Sequence, residues 1–244
     1  MGNIIRIAEL ESTNQYLANL VRKEAPIEGT VVIANFQTAG KGQGNNSWEA
    51  EAGKNLTFSM VLYPKMLEAQ HQFILSQLVS LAIIDTLKSE VADTSIKWPN
   101  DIYVGNKKIA GILIENVLLG KYIESCIIGI GLNVNQVNFC SNAPNPVSLK
   151  QLTGKDYDLS HLLKEICGNI FVRLAEALNE KPVSIFNAYF SSLYKKDNFC
   201  TYQTKNTSFM AKITAVLPTG ELVVEKTDGS TKTFGFKEIE LLSD

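Results

Sequence analysis

Residues 102–134, IYVGNKKIAGILIENVLLGKYIESCIIGIGLNV, decide the fold. Gly105-Asn106 and Gly120-Lys121 are turn pairs set between apolar, β-branched runs. The segment therefore reads as three strands, Ile102–Val104, Lys108–Leu119 and Tyr122–Val134, joined by two hairpins. Consecutive hairpins make neighbouring strands antiparallel, which excludes a doubly wound parallel sheet. Toward the N-terminus, Asn55–Tyr63 and Thr30–Phe36 are apolar, β-branched runs with the texture of buried strands, and Ile4–Ala8 is a short strand. Helical spacing appears over Met66–Lys88, with apolar residues at Phe73, Leu75, Leu78, Val79, Ala82, Ile83 and Leu87. A second helix starts at Ser12, where Gln15 three residues on completes a capping-box pattern, and runs to about Lys23. The class is α/β (α+β) with a mixed sheet.

Toward the C-terminus, Asp158 or Ser160 caps a helix running to about Asn179, with Pro182 after its end. The texture changes near Lys195. Phe209–Leu217, Glu221–Thr227 and Thr231–Phe236 are short strands separated by Pro218-Thr219-Gly220 and Asp228-Gly229-Ser230. This predicts two domains, 1–194 and a small β-barrel at 195–244.

Composition narrows the chemistry. The 244 residues are 45% hydrophobic and 20% charged with a net charge of −2, which fits a packed globular protein and argues against general nucleic-acid binding. Cys126, Cys140, Cys167 and Cys200 form no CxxC pair, and only His71 and His161 could join them, so no zinc site or disulfide framework is expected. The N-terminus lacks a basic start followed by an apolar core, and no run of about 18 apolar residues exists to span a bilayer. A cytoplasmic protein with no membrane partner is the expectation.

Two stretches carry functional signals. Phe36–Trp48, FQTAGKGQGNNSW, alternates Gly40, Gly42 and Gly44, so its backbone N–H groups can turn inward onto an anion. Lys41 adds a positive charge, and Gln43, Asn45 and Asn46 add amide donors. The pattern is neither a P-loop nor a dinucleotide fingerprint. Alone it reads equally as a mobile surface loop, but it follows a buried strand and carries Trp48, which can close over a ligand. The second stretch, Lys97–Glu115, groups Lys97, Asn100, Asp101 and Lys108 around Pro99, and Gly111 allows a flat ligand to approach the backbone. Taken alone, it also reads as a turn and hairpin with a solvated edge. Gly129–Asn133 is a weaker signal of the same kind, for which close packing is the simpler reading. Ser12 fits a helix cap and a ligand group alike, and the two roles are compatible.

In order, ESTNQYL at 11–17, QTAGKGQGNNSW at 37–48, KWPNDIYVGNKKIAGILIE at 97–115, GIGLNVN at 129–135 and APNPVSL at 143–149 resemble the biotin–protein ligase family over nearly the whole chain. The resemblance implies a catalytic domain similar to class II aminoacyl-tRNA synthetases and lipoate ligases, followed by a Src-homology-3-like barrel. It implies that biotin and ATP, with Mg2+, form biotinyl-5'-adenylate, and that biotin then passes to a lysine of a biotin carboxyl carrier protein. Ser12, Thr13, Asn14 and Gln37 would line the biotin pocket. Gly40, Lys41, Gly42, Gln43, Asn46 and Trp48 would belong to a loop that orders over biotin and the adenylate. Lys108, beside Gly111, would reach the reacting carboxylate and α-phosphate, with Lys41 assisting. Lys97, Asn100, Asp101 and Asn133 would shape the nucleotide side, and no protein metal ligands are assigned.

The chain departs from the family pattern at the loop. Gly40-Lys41-Gly42-Gln43 stands where many members have Gly-Arg-Gly-Arg, and Asn46 stands where a basic residue is common. The Ser12 motif begins too early to leave room for the DNA-binding domain of some members, so no DNA role is expected. A homodimer through a free edge of the main sheet is a further expectation. Two rival readings are a lipoate or octanoate ligase on the same fold, and a non-catalytic biotin-binding module.

Overall fold

In this computed structural model the description covers residues 2–44, 46–140, 145–178 and 182–242. Asn45, Ala143, Pro144 and Asn179, named above, lie outside the described residues. In chain order the elements are β1 (Ile4–Leu10), α1 (Thr13–Glu24), β2 (Val31–Gln37), β3 (Leu56–Leu62), α2 (Phe73–Leu87), β4 (Thr94–Lys97), β5 (Asp101–Val104), β6 (Lys107–Leu119), β7 (Tyr122–Leu132), α3 (Leu149–Thr153), α4 (Leu159–Leu178), α5 (Pro182–Ser191), β8 (Cys200–Gln203), β9 (Ser208–Val216), β10 (Leu222–Lys226), β11 (Thr231–Phe234) and β12 (Glu240–Leu241). The first seven strands form one sheet in the order β1-β2-β3-β7-β6-β5-β4, and the last five form another in the order β11-β10-β9-β8-β12. Only β1 and β2 run parallel in the large sheet, so the mixed sheet expected from the double hairpin is present. Gly105 and Gly120, at φ +54° and +62°, take the left-handed conformation that tight hairpin turns require.

Strand alternation divides the large sheet into two different faces. Val31, Phe58, Met60, Ile112, Ile128 and Ile130 point to one face and join the main core with the buried side chains of α2 and α4. α2 is apolar nearly all round because it is enclosed: Leu75, Leu78, Val79, Ala82 and Ile83 are all fully buried. On the other face, Leu17 of α1 packs against Val32, Val61 and Ile127. Next to that small cluster, the same face carries Thr57 and Ser59 of β3, Gly129 and Gly131 of β7, and Gly111 of β6, joined by the pairings Thr57↔Gly131, Ser59↔Gly129 and Gly111↔Gly131. Helix α1 thus covers part of a face whose remainder is small and polar.

Several elements differ from expectation for local reasons. The helix expected from Met66 begins at Phe73, because Leu67–Ala69 hydrogen bonds with the β6–β7 turn: Ala69 N–H donates to Lys121 O and Ile123 N–H to Leu67 O. Met66 is 84% exposed. The capping box expected at Ser12 and Gln15 is absent. Ser12 is the N-cap but makes no side-chain cap bond; the N–H of the first helical residue, Thr13, is satisfied by Gln37 Oε1 at 2.8 Å. A capping box forms at Ser148 and Gln151, opening the unforeseen helix α3. Asp158 Oδ1, rather than Ser160, accepts from the first N–H groups of α4. Pro182 opens a further helix, α5, where its missing N–H costs nothing. The strands β4, β8 and β12 were not read from the sequence, because no hairpin turn signal of the kind that marked β5 and β11 frames them.

The small sheet is joined to the large one by an aromatic seam. Trp98 Nε1 donates to Gly220 O at 2.9 Å, and the Phe236 ring lies 5.3 Å from Trp98 and 5.9 Å from Phe73 between centroids. The edge strand β4 is closed by Ile96 N–H to Ser192 O and Tyr194 N–H to Ile96 O, whereas among the described residues β1 has a strand partner on one side only. No described helix is long and apolar enough to cross a membrane.

Candidate active site

The small, polar part of the sheet face forms the floor of a cavity of about 120 Å³. Strands β3, β6 and β7 supply the floor, the start of α1 one wall, and loop residues 41–43 and 46–48 the cover. Of the expected residues, Ser12, Thr13, Asn14, Gln37, Lys41, Gly42, Gln43, Asn46, Trp48, Asn100, Asp101, Lys108 and Gly111 all line this one space.

At the α1 end the polar groups are mutually fixed. Thr13 Oγ1 donates to Gln37 Oε1 at 3.0 Å. Ser59 Oγ stands 2.7 Å from Thr13 Oγ1 and 2.5 Å from Asn14 Oδ1 and donates to one of them. Asn14 Nδ2 donates to Glu115 Oε2 at 2.8 Å, which sets the orientation of the amide. Asn14 is only 4% exposed, and a Cβ built on Gly129 would overlap its Oδ1. Glycine is therefore required at 129 to admit Asn14. Buried polar groups held in such a network present fixed donors and acceptors to a ligand at little further ordering cost.

At the other end lie the charges. Lys108 Nζ pairs with Asp101 Oδ1 at 2.7 Å, both about a quarter exposed, and stands 5.7 Å from the centroid of the Trp48 ring. Trp48 lies flat on the trough made by Gly111 and Gly131: a Cβ on Gly111 would be 3.1 Å from Cζ3, and one on Gly131 would overlap the indole. Its Nε1 is buried and has no hydrogen-bond partner among the described residues. The loop itself is a narrow hairpin. Trp48 N–H donates to Gly40 O at 2.9 Å, Gly42 N–H donates to Asn46 O at 2.7 Å, and Lys41 bridges Ser47.

Three expected residues sit elsewhere. Gly40 forms the loop's neck against the Trp48 carbonyl. Asn133 is 3% exposed, donates through Nδ2 to Val147 O at 3.2 Å, and its buried Oδ1 has no partner among the described residues. Lys97 lines a second cavity of about 410 Å³ between the two sheets, with Asn100, Asp101 and residues of the small sheet. Burial pushes the Lys97 ammonium below the usual lysine range, opposed by the nearby Asp101 and Glu240 carboxylates. Asn100 clamps β6, its side-chain Nδ2 donating to Ile112 O at 2.5 Å and its backbone carbonyl accepting from the Ile112 N–H at 3.0 Å. Thr57 and Ser59 were missed in the sequence. The signal was there: they are polar at every second position of an otherwise apolar strand.

Residues 7–133 match the family model described as the biotin/lipoate A/B protein ligase family, a little over half of the chain. The chain belongs to the biotin/lipoate A/B protein ligase family. Among its relatives in this family, the bifunctional ligase/repressor BirA of Bacillus subtilis is 30% identical over 238 residues, covering 95% of this chain and 72% of the relative. The biotin–[acetyl-CoA-carboxylase] ligase of Mycobacterium tuberculosis is 29% identical over 180 residues, covering 72% of this chain and 65% of that one. The fold matches the biotin protein ligase from Aquifex aeolicus, solved in complex with biotin and ATP, with a TM-score of 0.82 over 100% of both chains at 24% identity. The agreement over both full lengths includes the small C-terminal sheet, in keeping with a Src-homology-3-like unit.

Proposed function

We propose that this chain is an ATP-dependent biotin–protein ligase. It forms biotinyl-5'-adenylate and transfers biotin to a lysine of a biotin carboxyl carrier domain. The observation that carries this reading is the single cavity in which a fixed polar network at one end faces the Lys108–Asp101 pair at the other, beneath the glycine-rich loop. A ureido ring offers one acceptor and two N–H donors, which suits the Ser12, Thr13, Asn14 and Gln37 end. The acid's carboxylate would point toward Lys108 and the α-phosphate. The two sheets act as separate domains divided near residue 195, with nucleotide groups reaching between them.

The chemistry meets one main obstacle, the repulsion between the carboxylate and the α-phosphate. Cations and N–H donors placed before the reaction lower it, in a site where water is partly excluded. Lys108 is placed to neutralise charge as the carboxylate oxygen bonds to phosphorus and pyrophosphate departs. The carrier amine then attacks the acyl carbon and AMP leaves. Asp101 holds the Lys108 ammonium in position. No cluster of three His, Cys, Asp or Glu able to hold a metal occurs among the described residues. Mg2+ fits as a companion of the nucleotide phosphates with at most Asp101 from the protein, where it would add charge neutralisation. No covalent enzyme intermediate is required.

Biotin-dependent exchange of labelled pyrophosphate into ATP tests the assignment. Exchange driven by lipoate or octanoate and not by biotin would transfer it to the rival ligase class, and binding of biotin without any exchange would make the chain a binding module. Ordering of the loop has its own test. Lys41 is exposed, so trypsin should cut after it in the free protein. Saturating biotin should slow that cut by at least about tenfold, as expected when a ligand favours the closed state. Equal cleavage rates with and without biotin would remove the loop from ligand enclosure.

A further inference from the structure

Lys237 lies in the turn between β11 and β12 with φ +65°. This left-handed conformation suits glycine, and a lysine held in it points to a function for the side chain. That side chain spans from the small sheet to the glycine-rich loop. A Cβ built on Gly44, itself at φ +69°, would overlap Lys237 Nζ and lie 2.7 Å from Cε. Lys237 Nζ forms no ion pair or hydrogen bond with the described residues. It lines the 410 Å³ cavity between the sheets, which shares Gln43, Asn46, Asn100 and Asp101 with the first cavity.

The charges around these joined spaces leave Lys237 an open role. Between residues 37 and 51 the only cation is Lys41, set against Glu49 and Glu51. Lys108 is held by Asp101, and Lys97 faces Asp101 and Glu240. A triphosphate bound here would meet few cations free of a carboxylate. We propose that Lys237 is a phosphate-binding residue of this site, supplying the outer phosphates of ATP from the small sheet with the positive charge that the loop's own sequence lacks. The proposal rests on the ligase reading for its nucleotide. It assigns Lys237 to ATP alone, because the residue stands at the second cavity, away from the Asn14 and Gly129 end.

The test titrates α,β-methylene-ATP, which cannot release pyrophosphate, into the full chain and into Lys237→Gly and Lys237→Arg. Glycine suits the left-handed backbone, so Lys237→Gly removes the charge without a folding fault. It should weaken nucleotide binding by at least about fivefold, as loss of one exposed charge-assisted contact does. Biotin affinity should stay within about twofold and Lys237→Arg should recover nucleotide binding. The deficit should shrink at high salt, where exposed charges are screened. Unchanged nucleotide affinity in Lys237→Gly overturns the proposal, as does a loss that arginine does not repair. Biotin-dependent pyrophosphate exchange by the parent chain separately decides the ligase reading: a parent that binds the nucleotide without exchange refutes the ligase and still leaves the Lys237 comparison decisive.

Discussion

Lys108→Ala is expected to remain folded and to lose about 10²- to 10³-fold of its rate of biotin-dependent pyrophosphate exchange, the scale on which one preorganised charge-stabilising donor acts. Stability should change little. The Lys108–Asp101 pair is partly exposed, and such pairs contribute about 0–1 kcal/mol. The backbone of Lys108 stays anchored by its N–H to Asn145 O at 2.8 Å and by the Val147 N–H to its carbonyl at 2.9 Å. Biotin affinity should also persist, since the ring-binding network stands at the far end of the cavity. The loss should therefore appear in kcat with KM for biotin nearly constant. A variant that exchanges pyrophosphate at close to the parental rate would falsify the assignment of Lys108 to the reacting charge.

Gly129→Val should abolish measurable biotin binding while the sheet survives. A Cβ at 129 overlaps Asn14 Oδ1 and lies 2.9 Å from its Cγ. Asn14 has no room to retreat, because its amide is bound to Glu115 and approached by Ser59. Overpacking of this kind costs about 1–3 kcal/mol, which an intact seven-stranded sheet can absorb. The measurement pairs calorimetric titration with biotin against a thermal melt. Parental biotin affinity in a variant that still melts cooperatively would mean that the Asn14 network does not hold the ligand.

The hairpin run from Ile102 to Val134 was legible because both of its turns carry a glycine suited to positive φ and the runs between them are apolar and rich in β-branched residues. The pairing at the start of α1 was not: spacing suggested a Ser12–Gln15 capping box that does not form, while the partner of the Thr13 N–H is Gln37, 24 residues away, which local spacing cannot reveal. The start of α2 was displaced for the same kind of reason, by bonds to the β6–β7 turn. In the site, thirteen expected residues converge on one cavity because strand register places Gly111, Gly131 and Asp101 in one row. Asn133 looks like a site residue in its motif yet is buried behind the lining. Lys237 carried no sequence signal at all, since its position depends on how the two sheets meet.

The chain has two tryptophans, and the fold gives each a separate post. Trp98 is pinned in the seam by its bond to Gly220, while Trp48 rests on the glycine trough with its N–H unsatisfied among the described residues. Any guest taking that trough must displace the indole of Trp48, whereas Trp98 lines the cavity between the sheets. Intrinsic fluorescence can therefore follow occupancy of the site without a label, and Trp48→Phe supplies the dark control.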